Sequence, residues 1–440
     1  METPIADFVK RYNELHTVRL HMPGHKGKLF LGCEHLDITE VNGADALYEA
    51  EGIIAQSEAN ATDLFGSGRT LYSTEGSSQC IRAMLYLALT NRPKDALPVI
   101  VAARNVHKAF LYAAALLDFE IVWLWPEENT SLCSCAVTPE GLERTLKSLS
   151  APPAAVYLTS PDYLGGTADV AALAEVCHRF GTILAVDNAH GAYLHFLQTS
   201  MHPLDLGADI CCDSAHKTLP VLTGGAYLHI SKNVPKALLE NAKTAMALFG
   251  STSPSYLILQ SLDLCNRYLA DDYSDRLCQC VKRLDVVKDL LHQNGWSVQG
   301  SDPLRLTVAG NGRKLAETLR SGGVECEYAD RDYLVLMVTP ENDVSDLQRV
   351  VDLLGRNSEP VQEHRSLPLA RGEQVMTVRE ALFAPHESIS AVKSLGCICG
   401  APTVACPPAI PIAVSGERIG LEALELFAYY GVESVDIIKK

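Results

Sequence analysis

The chain has 440 residues, of which 47% are hydrophobic and 20% are charged, and its formal net charge at pH 7 is −16. This length and hydrophobic content predict two or three folded domains and argue against an intrinsically disordered chain. The acidic balance disfavours nucleic-acid binding, which usually needs a basic surface. No stretch reaches the roughly 18 uninterrupted apolar residues of a membrane-spanning helix, so we expect no membrane partner.

The N-terminal segment METPIADFVKRYNEL is typical of a short amphipathic helix and lacks the charged start and apolar core of a signal peptide. The chain has 14 cysteines, and their mixing into apolar runs is typical of reduced, buried cysteines in a cytosolic protein. We therefore expect a cytoplasmic location. The Cys-x-Cys pairs, such as Cys133/Cys135, lack the spacing of zinc ligands, and we expect no metal site.

Short apolar strands alternate with helical stretches in the first half of the chain. This alternation predicts an α/β fold with a mostly parallel sheet. Gly181 is the predicted end of the helix at 169–181. The strand-like runs are LPVIVAAR (97–104), EIVWLWP (120–126), AAVYLTSPD (154–162), TILAVDNAHGAY (182–193) and the run around Ile210-Cys211-Cys212.

Four polar residues that follow these strands could carry chemistry: His107, Asp187, His190 and Lys217. Each has an ordinary alternative, since His107 could only cap a helix and Lys217 could be a structural lysine at a strand end. A lysine held there is desolvated, so its pKa falls and its amine becomes a nucleophile toward carbonyl groups. Ligands bind beyond the carboxyl ends of parallel strands, and this shared position favours a functional site.

The segment Ser73-Thr74-Glu75-Gly76-Ser77-Ser78 precedes a helix with periodic apolar residues. Small hydroxyl residues at a helix start can simply cap it, and capping explains most such sequences. The alternative is a phosphate site, because the helix N-terminus offers backbone N–H groups and a positive dipole end. Pyridoxal 5′-phosphate (PLP) needs a phosphate site of this kind, a lysine for its aldehyde and a carboxylate for its ring nitrogen. Lys217, Asp187 and the Ser77–Ser78 loop fit these needs, with His107 as a ring over the cofactor face.

Seven motifs that span nearly the whole chain resemble those of the ornithine/lysine/arginine decarboxylase family. These are PLP enzymes of the aspartate-aminotransferase fold (fold type I), so the resemblance implies that fold, with a mostly parallel seven-stranded sheet, and that cofactor. The motifs are HMPGHKG (21–27), the Thr-Glu-Gly-Ser-Ser loop (74–78), RNVHKAF (104–110), SPDYLGG (160–166), VDNAHGAY (186–193), SAHKTLPVLTGG (214–225) and CPPAIPIAVSGERI (406–419).

The resemblance also implies roles for individual residues. Lys217 would hold the cofactor aldehyde covalently, Asp187 would pair with the ring nitrogen and His107 would stack on the ring. His216 or Lys217 would return a proton to the α-carbon. Glu417, which could also be an ordinary solvated glutamate, would face a basic substrate, and His25 is a second candidate substrate residue. The remaining implied cofactor residues are Gly76, Ser77, Ser78, His190, Ser214 and His216.

The sequence departs from the family pattern at a few positions. Gly224 stands where glutamine is frequent, Glu75 replaces a frequent asparagine, and Ala409 and Ser415 stand where glycine and proline are common. The predicted cofactor residues survive these changes, so the departures concern substrate identity. The chain resembles the shorter bacterial form, which lacks an N-terminal receiver-like domain.

The predicted organisation has five parts: an N-terminal arm (1–37), a PLP-binding large domain (38–270), a small α/β domain (271–357), a linker (358–372) and a C-terminal module (373–440). Within the module, residues 388–395 are predicted as a short helix and Pro407-Pro408 as a rigid loop.

The resemblance implies α-decarboxylation of arginine, lysine or ornithine, giving a polyamine-type amine and CO2, by a homodimer or higher homo-oligomer. Two alternatives remain open. Another PLP reaction, such as transamination or elimination, is disfavoured by the C-terminal PPAIP segment, which aminotransferases of this fold lack. A non-catalytic homologue is disfavoured because Lys217, Asp187 and His107 are all present.

Overall fold

The computed structural model describes residues 1–126, 131–134, 136–357, 367–405 and 409–439. The chain forms two compact units: Met1–Pro93 with Ile183–Leu277, and Lys94–Thr182 with Cys278–Lys440. The five-part division made from the sequence stays a prediction. Residues 358–366 of the predicted linker, the Pro407-Pro408 loop and Cys135 lie outside the described residues.

The helices follow the amphipathic stretches of the sequence, and several begin at a capping side chain, as at Ser255, Asn311 and Asp343. In chain order they are α1 (Pro4–Glu14), α2 (Ile53–Leu64), α3 (Ser77–Thr90), α4 (Lys108–Leu117), α5 (Pro139–Ser148), α6 (Val170–Arg179), α7 (Ala215–Thr218), α8 (Lys236–Leu248), α9 (Tyr256–Ala270), α10 (Tyr273–Gln293), α11 (Gly312–Ser321), α12 (Val344–Leu354), α13 (Val378–Phe383) and α14 (Leu421–Tyr430).

The strands are short and mostly buried along their length. In chain order they are β1 (Arg69–Ser73), β2 (Leu97–Ala103), β3 (Glu120–Leu124), β4 (Pro153–Thr159), β5 (Ile183–Asp187), β6 (Ile210–Asp213), β7 (Ala226–Ile230), β8 (Ser297–Gln299), β9 (Arg305–Ala309), β10 (Tyr328–Ala329), β11 (Tyr333–Met337), β12 (His386–Ser390), β13 (Thr403–Ala405), β14 (Ile410–Ala413) and β15 (Ser434–Ile438).

Seven strands form one sheet in the order β1-β7-β6-β5-β4-β2-β3. The pairs β5–β6, β2–β4 and β2–β3 are parallel, whereas β7 runs antiparallel to both β1 and β6. The near-continuous apolar runs of β2 and β4 are typical of parallel strands that are covered on both faces. The predicted α/β class with a mostly parallel seven-stranded sheet is confirmed.

Two smaller sets of strands lie in the second unit. Strands β10, β11, β9 and β8 form an antiparallel sheet in that order, and α11 and α12 follow its strands in the chain. In the C-terminal region β12 pairs with β15, and β13 pairs with β14. Around them lies a hydrophobic cluster that includes Ile412, Phe427 and Ile437.

Two local features differ from the sequence interpretation. The predicted helix at 388–395 is wrong, because residues 386–390 form β12 and only Ala391–Lys393 makes a short 3₁₀ turn. Backbone pairing with β15, more than forty residues away, outweighs the local sequence there. Strand β1 was not anticipated from the sequence, since it is only five residues long and is defined by antiparallel pairing with the distant β7.

Within the described residues, no helix combines the length and the apolarity needed to cross a membrane.

A buried carboxylate joins three helices of the first unit. Asp263 on α9 accepts hydrogen bonds at 3.0 Å from the backbone N–H groups of Ile5 and Ala6, which begin α1. It also accepts a hydrogen bond from the Ser57 hydroxyl on α2. The N–H groups of a first helical turn have no partner inside their helix, so Asp263 satisfies donors that would otherwise be buried unpaired.

Burial raises the pKa of Asp263 to about 6, although the hydrogen bonds from Ser57, Ala6 and Ile5 oppose the shift. The unfolded carboxyl has a pKa of about 3.9, so between about pH 4 and pH 6 the folded chain holds a proton that the unfolded chain releases. The stability that the protonated Asp263 contributes to the folded chain is therefore complete below about pH 4, and it is lost as pH rises through about 6. As the pH rises over this range, the free energy of unfolding of the wild type should fall by up to about 3 kcal/mol compared with that of Asp263→Asn. Urea unfolding at a series of pH values measures this difference.

The control for this experiment is Asp272→Asn, because Asp272 is exposed. Its pH profile of unfolding should run parallel to that of the wild type. If the Asp263→Asn profile ran parallel as well, the inferred protonation of Asp263 would be wrong.

Candidate active site

Strands β5 and β6 each end in a buried carboxylate. Their sequences, ILAVD and ICCD, are apolar up to the last residue, so each strand is buried along nearly its whole length. Asp187 is 2% exposed, and its Oδ1 accepts hydrogen bonds from the Ala189 N–H at 3.2 Å and the Cys212 thiol at 3.7 Å. Because Asp187 and Cys212 are partners in the parallel ladder, the pairing of the two strands fixes where Asp187 lies.

The segment after β6 turns at once into the four-residue helix α7. Ala215 and Thr218 are buried, whereas His216 and Lys217 are partly exposed. The Lys217 N–H donates to the Ser214 carbonyl at 2.9 Å, which holds the turn. This turn therefore presents Lys217 on the accessible side of a segment whose other residues are packed.

The histidine beside Lys217 has a defined tautomer. His216 Nδ1 lies 2.9 Å from the Gly225 carbonyl oxygen, which can only accept, so Nδ1 carries the proton and Nε2 a lone pair. Burial lowers the pKa of His216, the Gly225 hydrogen bond opposes the shift, and the charge of Lys217 adds to it. The imidazole is therefore neutral at pH 7.

The start of α3 lies against the same segment. Ser77 begins this 14-residue helix, and its Oγ accepts a hydrogen bond from the Ser214 hydroxyl at 2.8 Å. The preceding Gly76 has a φ of +70°, and its N–H donates to the Gly224 carbonyl at 2.7 Å. Ser78 follows in the first turn and is partly exposed. The arrangement joins two hydroxyls to a helix N-terminus, which is a suitable environment for a phosphate group.

A buried network behind these residues was missed from the sequence. Asp213, at the end of β6, accepts hydrogen bonds from Asn188 at 2.7 Å and from His202 and His229 at 3.1 Å each. Burial alone would raise the pKa of Asp213, but the two imidazoles outweigh it and hold that pKa well below its usual range. The signal in the sequence was an ionisable residue in an otherwise apolar strand, since such a residue needs partners.

Three predicted histidines occupy different places. His107 caps α4, with its Nδ1 accepting from the Ala109 N–H at 3.2 Å, as the alternative interpretation of that residue had it. His190 is 6% exposed and lies three residues beyond the end of β5. His25 Nε2 lies 3.2 Å from Asp37 Oδ2. Any role of these side chains toward cofactor or substrate stays a prediction.

Glu417, the candidate substrate residue, is 3% exposed and lies 3.8 Å from Arg104. Its Oε2 accepts a hydrogen bond at 2.9 Å from the Val414 N–H. Arg104 donates to the carbonyls of Pro411 and Ile412, at 2.7 and 3.1 Å. Burial raises the pKa of Glu417, and the charge of Arg104 opposes that shift. The carboxylate thus has a structural partner, and contact with a substrate stays a prediction.

We expect Glu417→Gln to destabilise the protein by about 3 kcal/mol, because the substitution leaves the Arg104 guanidinium buried without a counter-charge. Glu373→Gln is the matched control, since it removes the partner of Arg418 in an ion pair whose side chains are 47% and 71% exposed. The control should cost less than about 1 kcal/mol. Denaturant unfolding of both variants measures the difference, and equal losses would contradict a structural role for the buried pair.

Comparison with known proteins identifies the relatives of this chain. The arginine decarboxylase of Bacillus subtilis (strain 168) is 28% identical over 457 residues, which cover 95% of this chain and 91% of that protein. Two solved structures share the fold at low identity. The lysine decarboxylase of Francisella novicida matches with a TM-score of 0.80 at 15% identity, covering 99% of this chain and 81% of that one. The constitutive lysine decarboxylase of E. coli matches with a TM-score of 0.78 at 16% identity, covering 100% and 82%.

A family model described as the Orn/Lys/Arg decarboxylase major domain matches residues 3–313. This range is more than half of the 440-residue chain. The chain therefore belongs to the Orn/Lys/Arg decarboxylase family.

Proposed function

We propose that this protein is a PLP-dependent decarboxylase that converts a basic amino acid to an amine and CO2. The observation that carries the proposal is the arrangement in the first unit. The buried Asp187 ends β5, the Ser77–Ser214 hydroxyl pair lies at the start of α3, and Lys217 lies three residues beyond Ser214. Membership of the Orn/Lys/Arg decarboxylase family supports the same function.

The residues in this part of the chain suit PLP chemically. The positive end of α3, with Ser77, Ser78 and Ser214, offers donors to a phosphate dianion. Gly76 adopts a positive φ of +70°, which lets the backbone turn directly into the helix. Asp187 is a buried carboxylate of the kind that holds a proton on a pyridine nitrogen. Lys217 supplies the amine for the aldehyde, and by the family resemblance His107 and His190 would flank the ring.

In the proposed mechanism the protein supplies orientation and charge. When bound, PLP supplies an electron sink for the pair released as CO2 departs. Asp187 would hold a proton at the ring nitrogen, and the residues at the start of α3 would bind the phosphate. The protein would also orient the substrate relative to the cofactor. Such orientation can lower a barrier by about 7–11 kcal/mol in favourable cases.

We propose Lys217 rather than His216 as the source of the proton that returns to the α-carbon, and the hydrogen bonding of His216 supports this choice. The Nδ1 proton of His216 is donated to Gly225, and its Nε2 carries a lone pair in a neutral ring. A neutral imidazole with this tautomer has no proton to give from Nε2. His216 instead fixes the Gly225 backbone beside the lysine turn.

Among the basic amino acids we propose arginine, because the B. subtilis relative matched over 95% of this chain is an arginine decarboxylase. We further propose a homo-oligomer, at least a dimer, on the family resemblance alone, and a cytoplasmic location on the free, mostly buried cysteines. Glu417 stays a candidate substrate residue, although its buried contact with Arg104 gives it a structural task as well.

The direct test is to supply purified protein with PLP and to offer arginine, lysine and ornithine separately. We expect CO2 and the corresponding amine, fastest with arginine. A keto acid without CO2 would instead indicate transamination. Protein that binds no PLP would indicate a non-catalytic homologue. Acceptance of lysine or ornithine in preference to arginine would retain decarboxylation and overturn only the substrate assignment.

Lys217→Ala should abolish the covalent attachment of PLP while leaving the protein folded, since Lys217 is partly exposed. Borohydride reduction followed by peptide mass spectrometry locates the modified lysine in the wild type. Lys232→Ala is the control, because Lys232 is an exposed lysine of the same unit outside the proposed site. Modification at another position in the Lys217→Ala variant, such as Lys26 or Lys108, would overturn the assignment.

A further inference from the structure

The connection between β5 and β6 carries a second cluster of side chains with metal-ligand chemistry. His195, His202 and Asp205 each offer one ligand atom, and these three atoms lie within 4.8 Å of one another. His195 lies in the short 3₁₀ turn Leu194–Phe196, and His202 and Asp205 lie in the turns that follow. His195 Nδ1 is 2.7 Å from Asp205 Oδ2.

One ring nitrogen of His202 is hydrogen-bonded, and the other has no hydrogen-bond partner among the described residues. Its ring is fully buried, and Nε2 lies 3.1 Å from Asp213 Oδ2. The Asp213 carboxylate accepts, so Nε2 carries the proton, and in the neutral ring Nδ1 holds a lone pair. Nδ1 is buried, and no group among the described residues donates to it. A buried acceptor without a donor is unfavourable, so this atom points to a ligand that is an electrophile.

We propose that His195, His202 and Asp205 bind a divalent transition-metal ion of the zinc class. Two imidazole nitrogens and one carboxylate oxygen are a ligand set that Zn²⁺ accepts in tetrahedral geometry with water in the fourth position. The Asp213–His202 hydrogen bond is the carboxylate–imidazole contact that commonly fixes the tautomer of a metal-bound histidine. The His195 and Asp205 side chains are 21% and 33% exposed, which leaves an entry path and room for water.

The ligand atoms, which lie within 4.8 Å of one another, have to close to tetrahedral separations. Zinc bonds of about 2.0–2.1 Å in tetrahedral geometry put ligand atoms roughly 3.3 Å apart. The His195–Asp205 contact of 2.7 Å would lengthen slightly as the ion replaces the shared proton. Phe65 packs beside both imidazoles, with ring centroids 5.5 Å from His195 and 5.9 Å from His202.

A neighbouring combination of His202, Cys211 and Asp213 also has its candidate ligand atoms close together, but its chemistry is satisfied without a metal. Asp213 already accepts from His202 and His229. Burial raises the pKa of the Cys211 thiol well above its usual value, which disfavours the thiolate that zinc would require.

The consequence of metal binding is a firmer connection between β5 and β6. The ion would fix His202, which contacts Asp213, and Asp213 in turn holds Asn188 beside Asp187. The proposal does not depend on the reaction that the protein catalyses, because no ligand of the ion belongs to the proposed PLP-binding residues.

Titration of the PLP-loaded protein with ZnCl₂ tests the proposal by calorimetry, with metal content measured after gel filtration. We expect the wild type to bind one Zn²⁺ per chain more than the variants Asp205→Asn and His195→Gln. Its thermal midpoint should rise with zinc concentration. Asp205→Asn and His195→Gln should each weaken this binding at least tenfold, while the visible absorbance of bound PLP stays unchanged. Both positions are partly exposed, so these variants should fold normally, which circular dichroism verifies.

His25→Gln is the matched control, because His25 also contacts an aspartate, Asp37, at 3.2 Å and with similar exposure, but belongs to neither metal-ligand group found among the described residues. It should bind zinc as the wild type does. The proposal is overturned if the wild type takes up no Zn²⁺, or if Asp205→Asn and His195→Gln retain the wild-type affinity and stoichiometry.

Discussion

The proposed active site depends on one buried carboxylate, that of Asp213 at the end of β6. A carboxylate with no exposed surface costs several kcal/mol unless its oxygens are hydrogen-bonded. Asp213 meets this condition by accepting from Asn188, His202 and His229. One of these contacts reaches the residue after Asp187, so the same carboxylate fixes the ends of both parallel strands.

The hydrogen-bond network around Asp213 continues through His229 to Thr70. His229 donates from Nε2 to Asp213, and its Nδ1 lies 2.8 Å from the Thr70 hydroxyl, which can therefore donate to it. Burial lowers the pKa of His229, and the neutral ring suits both contacts. Thr70 belongs to β1 and His229 to β7, so the antiparallel edge of the sheet is tied to the end of β6. Strand β1 then leads directly into the Gly76–Ser77 turn.

Local patterns in the sequence predicted the parts of the structure that local physics decides. The apolar runs before Asp187 and Lys217 predicted buried strands, and the serines at 77 and 78 predicted the start of α3. The sequence could not predict which side chains meet. The partners of Asp213 lie 11, 16 and 25 residues away, and β12 forms through a partner more than forty residues distant. Such choices follow from packing, which outweighs local propensity.

The departures from the family pattern have structural explanations that differ from one another. Gly224 has a φ of +100°, and an added Cβ would lie 2.9 Å from the Thr74 carbonyl oxygen, so a side chain there would displace the loop that receives the Gly76 N–H.

Ala409 stands at a φ of +61°, a left-handed conformation that costs a non-glycine residue roughly 1–2 kcal/mol, while its carbonyl accepts from the Lys108 N–H at 3.0 Å. Ser415 is fully buried, and its hydroxyl has no partner among the described residues. Gly224 thus suits its backbone, whereas Ala409 and Ser415 are each costly where they stand. Because Ser415 lies two residues from Glu417 and Ala409 contacts the start of α4 beside His107, these costs fall on the segments that carry the candidate substrate and ring-stacking residues.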